Sequence, residues 1–84
     1  MPWYVYIARA RTGRYYVGIT TDPEERIAEH NRGDGSRFAI NQGPFFLAYT
    51  STAFPDKSSA RKREAQIKRW TREKKEKLIQ GEWQ

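Results

Sequence analysis

Cysteine is absent from this 84-residue chain, and histidine and methionine occur once each. Without thiols, neither a disulfide nor a zinc–thiolate centre can staple the fold. One imidazole cannot build a histidine-rich transition-metal site. A metal used here would be a hard cation held by carboxylate and water oxygens. No apolar run nears the roughly 18 residues of a membrane span, and no apolar signal-peptide core follows the first methionine. The expected setting is the cytoplasm, with no membrane partner.

What the chain has in excess is positive charge. Sixteen Lys and Arg residues against ten Asp and Glu give a net charge of +6 and an isoelectric point near 9.9. So basic a domain reads first as a phosphate binder, and nucleic acid is the partner it fits. Solubility is the plainer use of the same charge. The cations are unevenly placed: Arg9, Arg11 and Arg14 in a first turn, Arg37 in a loop, and a dense run from Lys57 to Lys77 that includes Arg61 and Lys68.

Eighty-four residues support one small domain with a compact core. The runs Trp3–Ile7 and Tyr15–Thr20 are β-branched and aromatic, and the ARARTGR stretch joining them carries a Thr-Gly turn, which predicts a β-hairpin. TDPEERIAEHNRG has full helix punctuation. Asp22 caps, Pro23 suits the first turn, Glu25 completes a capping box, and Asn31 and Gly33 provide the stop. Residues 33–44 form a glycine-rich loop. Phe45–Thr50 is a third strand. A second helix, capped by Asp56 or Ser58, runs to about Trp70, and a short last helix starts at Thr71 with a Glu73–Lys77 pair. The β-β-α-β-α-α order predicts an α+β fold, a small three-stranded antiparallel sheet flanked by helices.

Alternation along the strands sets Val5 and Ile7, with Val17 and Ile19, toward a core, and Tyr4, Tyr6 and Tyr16 together on the opposite face. Gly18, two residues from Tyr16 on that face, would leave room for something to approach the backbone. The tyrosines could simply be a packed cluster with hydroxyls at the rim. On the first helix Arg26 and His30, at i and i+4, share a stripe able to clamp a phosphate, or else a solvated face where Arg26 pairs with Asp22 or Glu29. On the second helix Ala60, Ile67 and Thr71 form the stripe most able to face inward, and Glu64 sits within it. A carboxylate there needs a partner, either a cation such as Arg26 or a bound metal.

In order and register, Tyr4-Val5-Tyr6, Tyr16-Val17-Gly18, Arg26 with His30 in ERIAEHN, and Glu64 in KREAQIK resemble the signature of the GIY-YIG nuclease superfamily. The chain is most similar to its small stand-alone bacterial members, which are related to the N-terminal incision domain of the ABC excinuclease. The resemblance covers roughly residues 3–79, with Tyr4 where the superfamily's name has glycine and no counterpart of the asparagine that larger members carry after the glutamate helix. It implies a DNA endonuclease using one divalent metal, Mg²⁺ or Mn²⁺, on Glu64. Arg26 would offset transition-state charge, and Tyr6 or Tyr16 would orient or deprotonate water. His30 would assist the proton or the phosphate, and Gly18 would keep the floor of the site open. Arg9, Arg11, Arg14, Arg37, Arg61 and Lys68 would hold the flanking strand. RNA is a second possible substrate, and a protein partner could supply specificity. Two other readings use the same residues: a non-catalytic nucleic-acid-binding module with stacking aromatics, and a protein-interaction domain anchored by Trp70 and Trp83.

Overall fold

The computed structural model describes residues 1–32 and 43–82. Arg37, Trp83, the Gly33 helix stop and residues 33–42 of the expected loop, named above, lie outside the described residues. Three strands, β1 (Tyr4–Ala10), β2 (Tyr15–Thr20) and β3 (Phe45–Thr50), form one antiparallel sheet in the order β2-β1-β3. Helix α1 (Pro23–Asn31) follows the hairpin, and α2 (Lys57–Lys68) and α3 (Arg72–Ile79) follow β3. The predicted order and fold class are those observed. The β1–β2 turn closes through Ala10 and Arg14, with Gly13 at φ +94°, a backbone angle that favours glycine.

The sheet is covered on both faces. On one, Tyr6, Ala8 and Ala10 of β1 pack with Ile27 of α1 and Phe45 of β3, and Tyr16 and Leu47 lie against them. On the other, Val5 and Ile7 pack with Ala60 and Ile67 of α2 and Leu78 of α3, joined by Val17 and Ile19. β1 is therefore the central strand in every sense, paired on both edges and buried on both faces. β3 contributes to both layers because its pairing shifts between Ile7 and Ala8, where Ala8 faces Leu47 and Ile7 faces Tyr49. The extra residue sends Phe45 and Leu47 to the α1 side and Tyr49 to the α2 side, an effect typical of a β-bulge.

The caps explain the helices. Asp22 accepts from the Glu25 amide at 3.1 Å, Asp56 from Ser59 at 2.8 Å, and Thr71 from Lys74 at 3.2 Å. Two details differ from expectation. The capping box is only half formed, because the Asp22 amide donates to Thr20 Oγ1 at 3.1 Å while Glu25 takes Arg32 at 3.2 Å. Thr71 is not part of an inward stripe: α2 ends at Lys68, and the exposed Thr71 caps α3. Two long-range ties finish the frame. Asn31 grips the Phe45 backbone, donating to its carbonyl at 3.0 Å and accepting its amide at 2.6 Å. On the far side, Tyr15 donates to Glu76 at 3.1 Å, Arg72 lies 4.4 Å over the Tyr15 ring, and its guanidinium donates to the Gly13 carbonyl at 2.8 Å.

Candidate active site

The hairpin register sets Tyr6 directly across from Gly18 and Ala8 across from Tyr16, so the two tyrosines are diagonal neighbours on the face under α1. Gly18 does not hold the floor of a site open. The end of the Tyr6 ring lies on it: a Cβ at Gly18 would stand 2.6 Å from the Tyr6 hydroxyl oxygen and 2.7 Å from the ring carbon that bears it. The glycine is there to admit the chain's own tyrosine. Tyr6 is buried, and its hydroxyl makes a long hydrogen bond, 3.4 Å, with His30 Nε2. The Tyr16 hydroxyl is buried as well. His30 leans on Phe45 at 5.4 Å, and Tyr16 meets the same ring edge-on at 5.7 Å.

Burial holds the His30 pKa below its ordinary value, and the Arg26 guanidinium one turn away pushes it the same way, against a smaller opposing pull from Glu29. At neutral pH the imidazole is uncharged and can accept a proton at one ring nitrogen.

A cleft of about 410 Å³ opens where α1, α2 and the end of β2 meet. Arg26 and Glu29 line it from α1, and Lys57, Arg61 and Glu64 from α2, with Thr20, Thr21, Ile19 and Trp3 completing the wall. Positions 57, 61 and 64 are spaced four and three apart, one face of a helix. Glu64, with only 17% of its side chain exposed, pairs with Lys68 at 3.4 Å and not with Arg26. Arg26 takes Glu29 at 3.5 Å. Neither Tyr6, Tyr16 nor His30 is in the cleft wall. Gly18, on which Tyr6 lies, is two residues along β2 from Thr20 of the wall, and His30 is one helical turn along α1 from Arg26, each a displacement of about 5–7 Å. Tyr4 lines a separate groove with Leu47 and Pro23. Val5 is core and Val17 packs on it.

The GIY-YIG catalytic-domain family model matches residues 2–77, nearly the whole chain. The protein belongs to the GIY-YIG nuclease family. Its relatives are small single-domain proteins. A UPF0213 protein of Halobacterium salinarum is 43% identical over 76 residues, covering 90% of this chain and 97% of the relative. A UPF0213 protein of Halalkalibacterium halodurans is 42% identical over 79 residues, 94% of this chain and 83% of the other. The solution structure of a UPF0213 protein from Bacillus halodurans superposes with a TM-score of 0.59 at 41% identity, covering 95% of this chain and 84% of that one. The solution structure of a protein from E. faecalis gives 0.63 at 34% identity, covering 96% and 85%.

GIY-YIG nucleases generally depend on a divalent metal, and the donors here fit a hard one. Among the described residues no three His, Cys, Asp or Glu side chains cluster, so they form no all-protein cage. One or two carboxylates completed by water and substrate phosphate oxygens are how Mg²⁺ is commonly held, and the cleft wall offers two carboxylates, Glu29 and Glu64.

The basic residues named from the sequence fall into two groups. Arg61 is in the cleft wall, and Lys68 adjoins it through Glu64. Arg9, Arg11 and Arg14 belong to the hairpin tip, at the far end of strands about 20 Å long. There Arg11 donates to the Gly43 carbonyl at 2.9 Å, and Arg14 lines a small hollow with Tyr15, Arg72 and Lys75. Sequence reading missed Trp3, Thr20, Thr21, Glu29 and Lys57 in the cleft. Lys57 was findable, four residues before Arg61 on the helix face that carries Glu64.

Proposed function

We propose that this GIY-YIG protein is a divalent-metal-dependent endonuclease that hydrolyses DNA phosphodiester bonds in the α1–α2 cleft, directed by strand structure or ends during repair or processing of DNA. One observation carries the reading. Glu64 and Glu29 face one cleft together with two guanidiniums, Arg26 and Arg61, and Tyr6, hydrogen-bonded to His30 of α1, lies outside its wall.

Glu64 would hold Mg²⁺ or Mn²⁺. Bound there, the ion supplies Lewis-acid polarisation of a phosphoryl oxygen and of the leaving group. The chain's own residues do the rest. Arg26 and Arg61 take the non-bridging oxygens, for which a planar guanidinium is the better fit. Arg26 is ready for this, because its part-exposed pair with Glu29 is worth about 0.2–1 kcal/mol, and an incoming phosphate displaces it at little cost. Tyr6 or Tyr16 would take part in activating the attacking water by moving into the cleft or through a bridging water, and Tyr6 can pass a proton on to His30, which burial keeps uncharged. Lys57 and the hairpin-tip arginines hold the flanking backbone, so binding weakens with salt, log K falling by about 0.9 per duplex phosphate neutralised. A protein partner would add specificity.

The test is cleavage of labelled single-stranded, duplex and branched DNA, with RNA alongside, by pure wild type and Glu64→Ala in Mg²⁺, Mn²⁺ or EDTA. Metal-dependent cutting lost in the variant is expected. Equal cutting by the two proteins would remove Glu64 from the mechanism, and binding without cutting under any metal would make this a binding module.

A further inference from the structure

Among the described residues, Trp3 is the one aromatic side chain in the cleft wall, and it shares that wall with Arg26 and Glu64. It is fixed from behind. Its backbone forms a two-bond bridge to Phe54, donating at 3.0 Å and accepting at 2.7 Å, and its side chain packs against the buried layer that holds Val5, Ile7 and Ile67. The ring therefore presents a rigid π surface beside the residues that would hold the cleaved phosphate. Lying over it, 5.1 Å from the centroid, is the ammonium of Lys57, an exposed side chain at the start of α2.

We infer, resting on the nuclease reading above, that Trp3 is a stacking platform for an unpaired nucleobase next to the cut phosphate. It is thereby the residue that selects strands with single-stranded character over intact duplex. Lys57 is the placeholder. An exposed ammonium–arene contact favours the closed arrangement by a factor of only about 2–5. A base stacked on an aromatic side chain gains about 5–150-fold, so the base displaces the ammonium and leaves it beside the strand's own phosphates. Within a duplex both faces of every internal base are already covered by its neighbours. A paired base reaches Trp3 only by leaving the stack, and an unpaired one reaches it without that loss.

Affinity by fluorescence anisotropy, at fixed salt, Mg²⁺ and the Glu64→Ala background, tests this on a 12-mer oligothymidine and a blunt 12-bp duplex. Replacing Trp3 by Leu keeps an apolar plug and removes the π face, while Trp3→Phe keeps a ring. The ratio of single-strand to duplex affinity is expected to fall at least fivefold in Trp3→Leu and to stay within about twofold in Trp3→Phe, with duplex affinity unchanged in both. Thermal melts of each variant accompany the titrations. If Trp3→Leu melts as a folded protein and weakens both ligands equally, or neither, Trp3 is scaffold and the inference fails. Should Trp3→Leu not fold, an unchanged ratio in Trp3→Ser and a fall in Trp3→Phe equally overturn it. The readout is binding, so it is separable from the nuclease reading: a wild type that shows the Trp3-dependent ratio but cuts nothing loses the catalytic assignment and keeps the platform.

Discussion

Replacing Gly18 by Ala should be costly although its backbone is ordinary extended strand. The added Cβ meets three Tyr6 atoms, at 2.6, 2.7 and 2.9 Å, where about 3.5–4.0 Å is comfortable. The tyrosine ring must retreat by roughly 1 Å into a layer where Ile27 and Phe45 are already buried around it. Overpacking of this sort costs about 1–3 kcal/mol, and losing the long, weak bond to His30 adds about 0.5 kcal/mol. Against that, alanine stiffens the unfolded chain and returns about 0.4–1 kcal/mol. The net is a loss of about 0.5–3 kcal/mol, which in a domain of this size lowers Tm by roughly 2–25 °C. Circular-dichroism melts measure it directly. Tyr6→Phe should not rescue the variant, because two of the three offending atoms are ring carbons. Tyr6→Leu should, so that the double variant loses less than the two singles together. A Gly18→Ala protein melting within about 2 °C of wild type, or strict additivity with Tyr6→Leu, would refute the claim that Gly18 exists to seat Tyr6.

Asn31→Ala should cost about 1–3 kcal/mol, since it leaves both backbone groups of Phe45 without the side chain that binds them; amide exchange at Phe45 should accelerate correspondingly. The His30 pKa, read by NMR titration, should lie below 6.5. Because the folded value is lowered, stability is full above 6.5 and is lost as pH falls through the folded value, and His30→Gln should flatten that acid limb. Tyr15 is opposite in sign. Its folded pKa is raised, first by burial and then by its bond to Glu76, so its contribution is full below pH 10 and is lost as pH rises through the higher folded value. The stability gap between wild type and Tyr15→Phe should therefore narrow in alkali, as chemical denaturation at several pH values would show.

Local features were readable because local chemistry decides them. Asp22, Asp56 and Thr71 cap where a short polar side chain precedes a helix-forming stretch, and strict alternation sorts Tyr4, Tyr6 and Tyr16 from Val5 and Ile7. What lay beyond reach depends on residues distant in the chain. Nothing near Gly18 says that a side chain twelve positions earlier fills its space, and nothing near Asn31 names Phe45 as its partner. The β3 bulge hides in FFLAYT, whose alternation alone would place Phe45, Leu47 and Tyr49 on one face. Glu64 was rightly placed on the Ala60–Ile67 side of α2, but its partner, Lys68, came from its own helix. The cleft could be half drawn, because its α2 wall follows helical spacing, while Trp3 enters it only through the bridge to Phe54.

β1, buried on both faces, has a consequence for anyone sorting relatives into active and inactive enzymes. Tyr6 answers to the packing of α1, and its neighbours Val5 and Ile7 to that of α2. A protein that had given up catalysis would still need that strand, in that register, to remain folded, and would keep its tyrosine motif for architectural reasons. Glu64 and Arg26 are under no such obligation, being held by little more than one short-range ion pair each. In a lineage drifting away from nuclease work these two should be the first to change, and their presence here says more about chemistry than the motif that names the family.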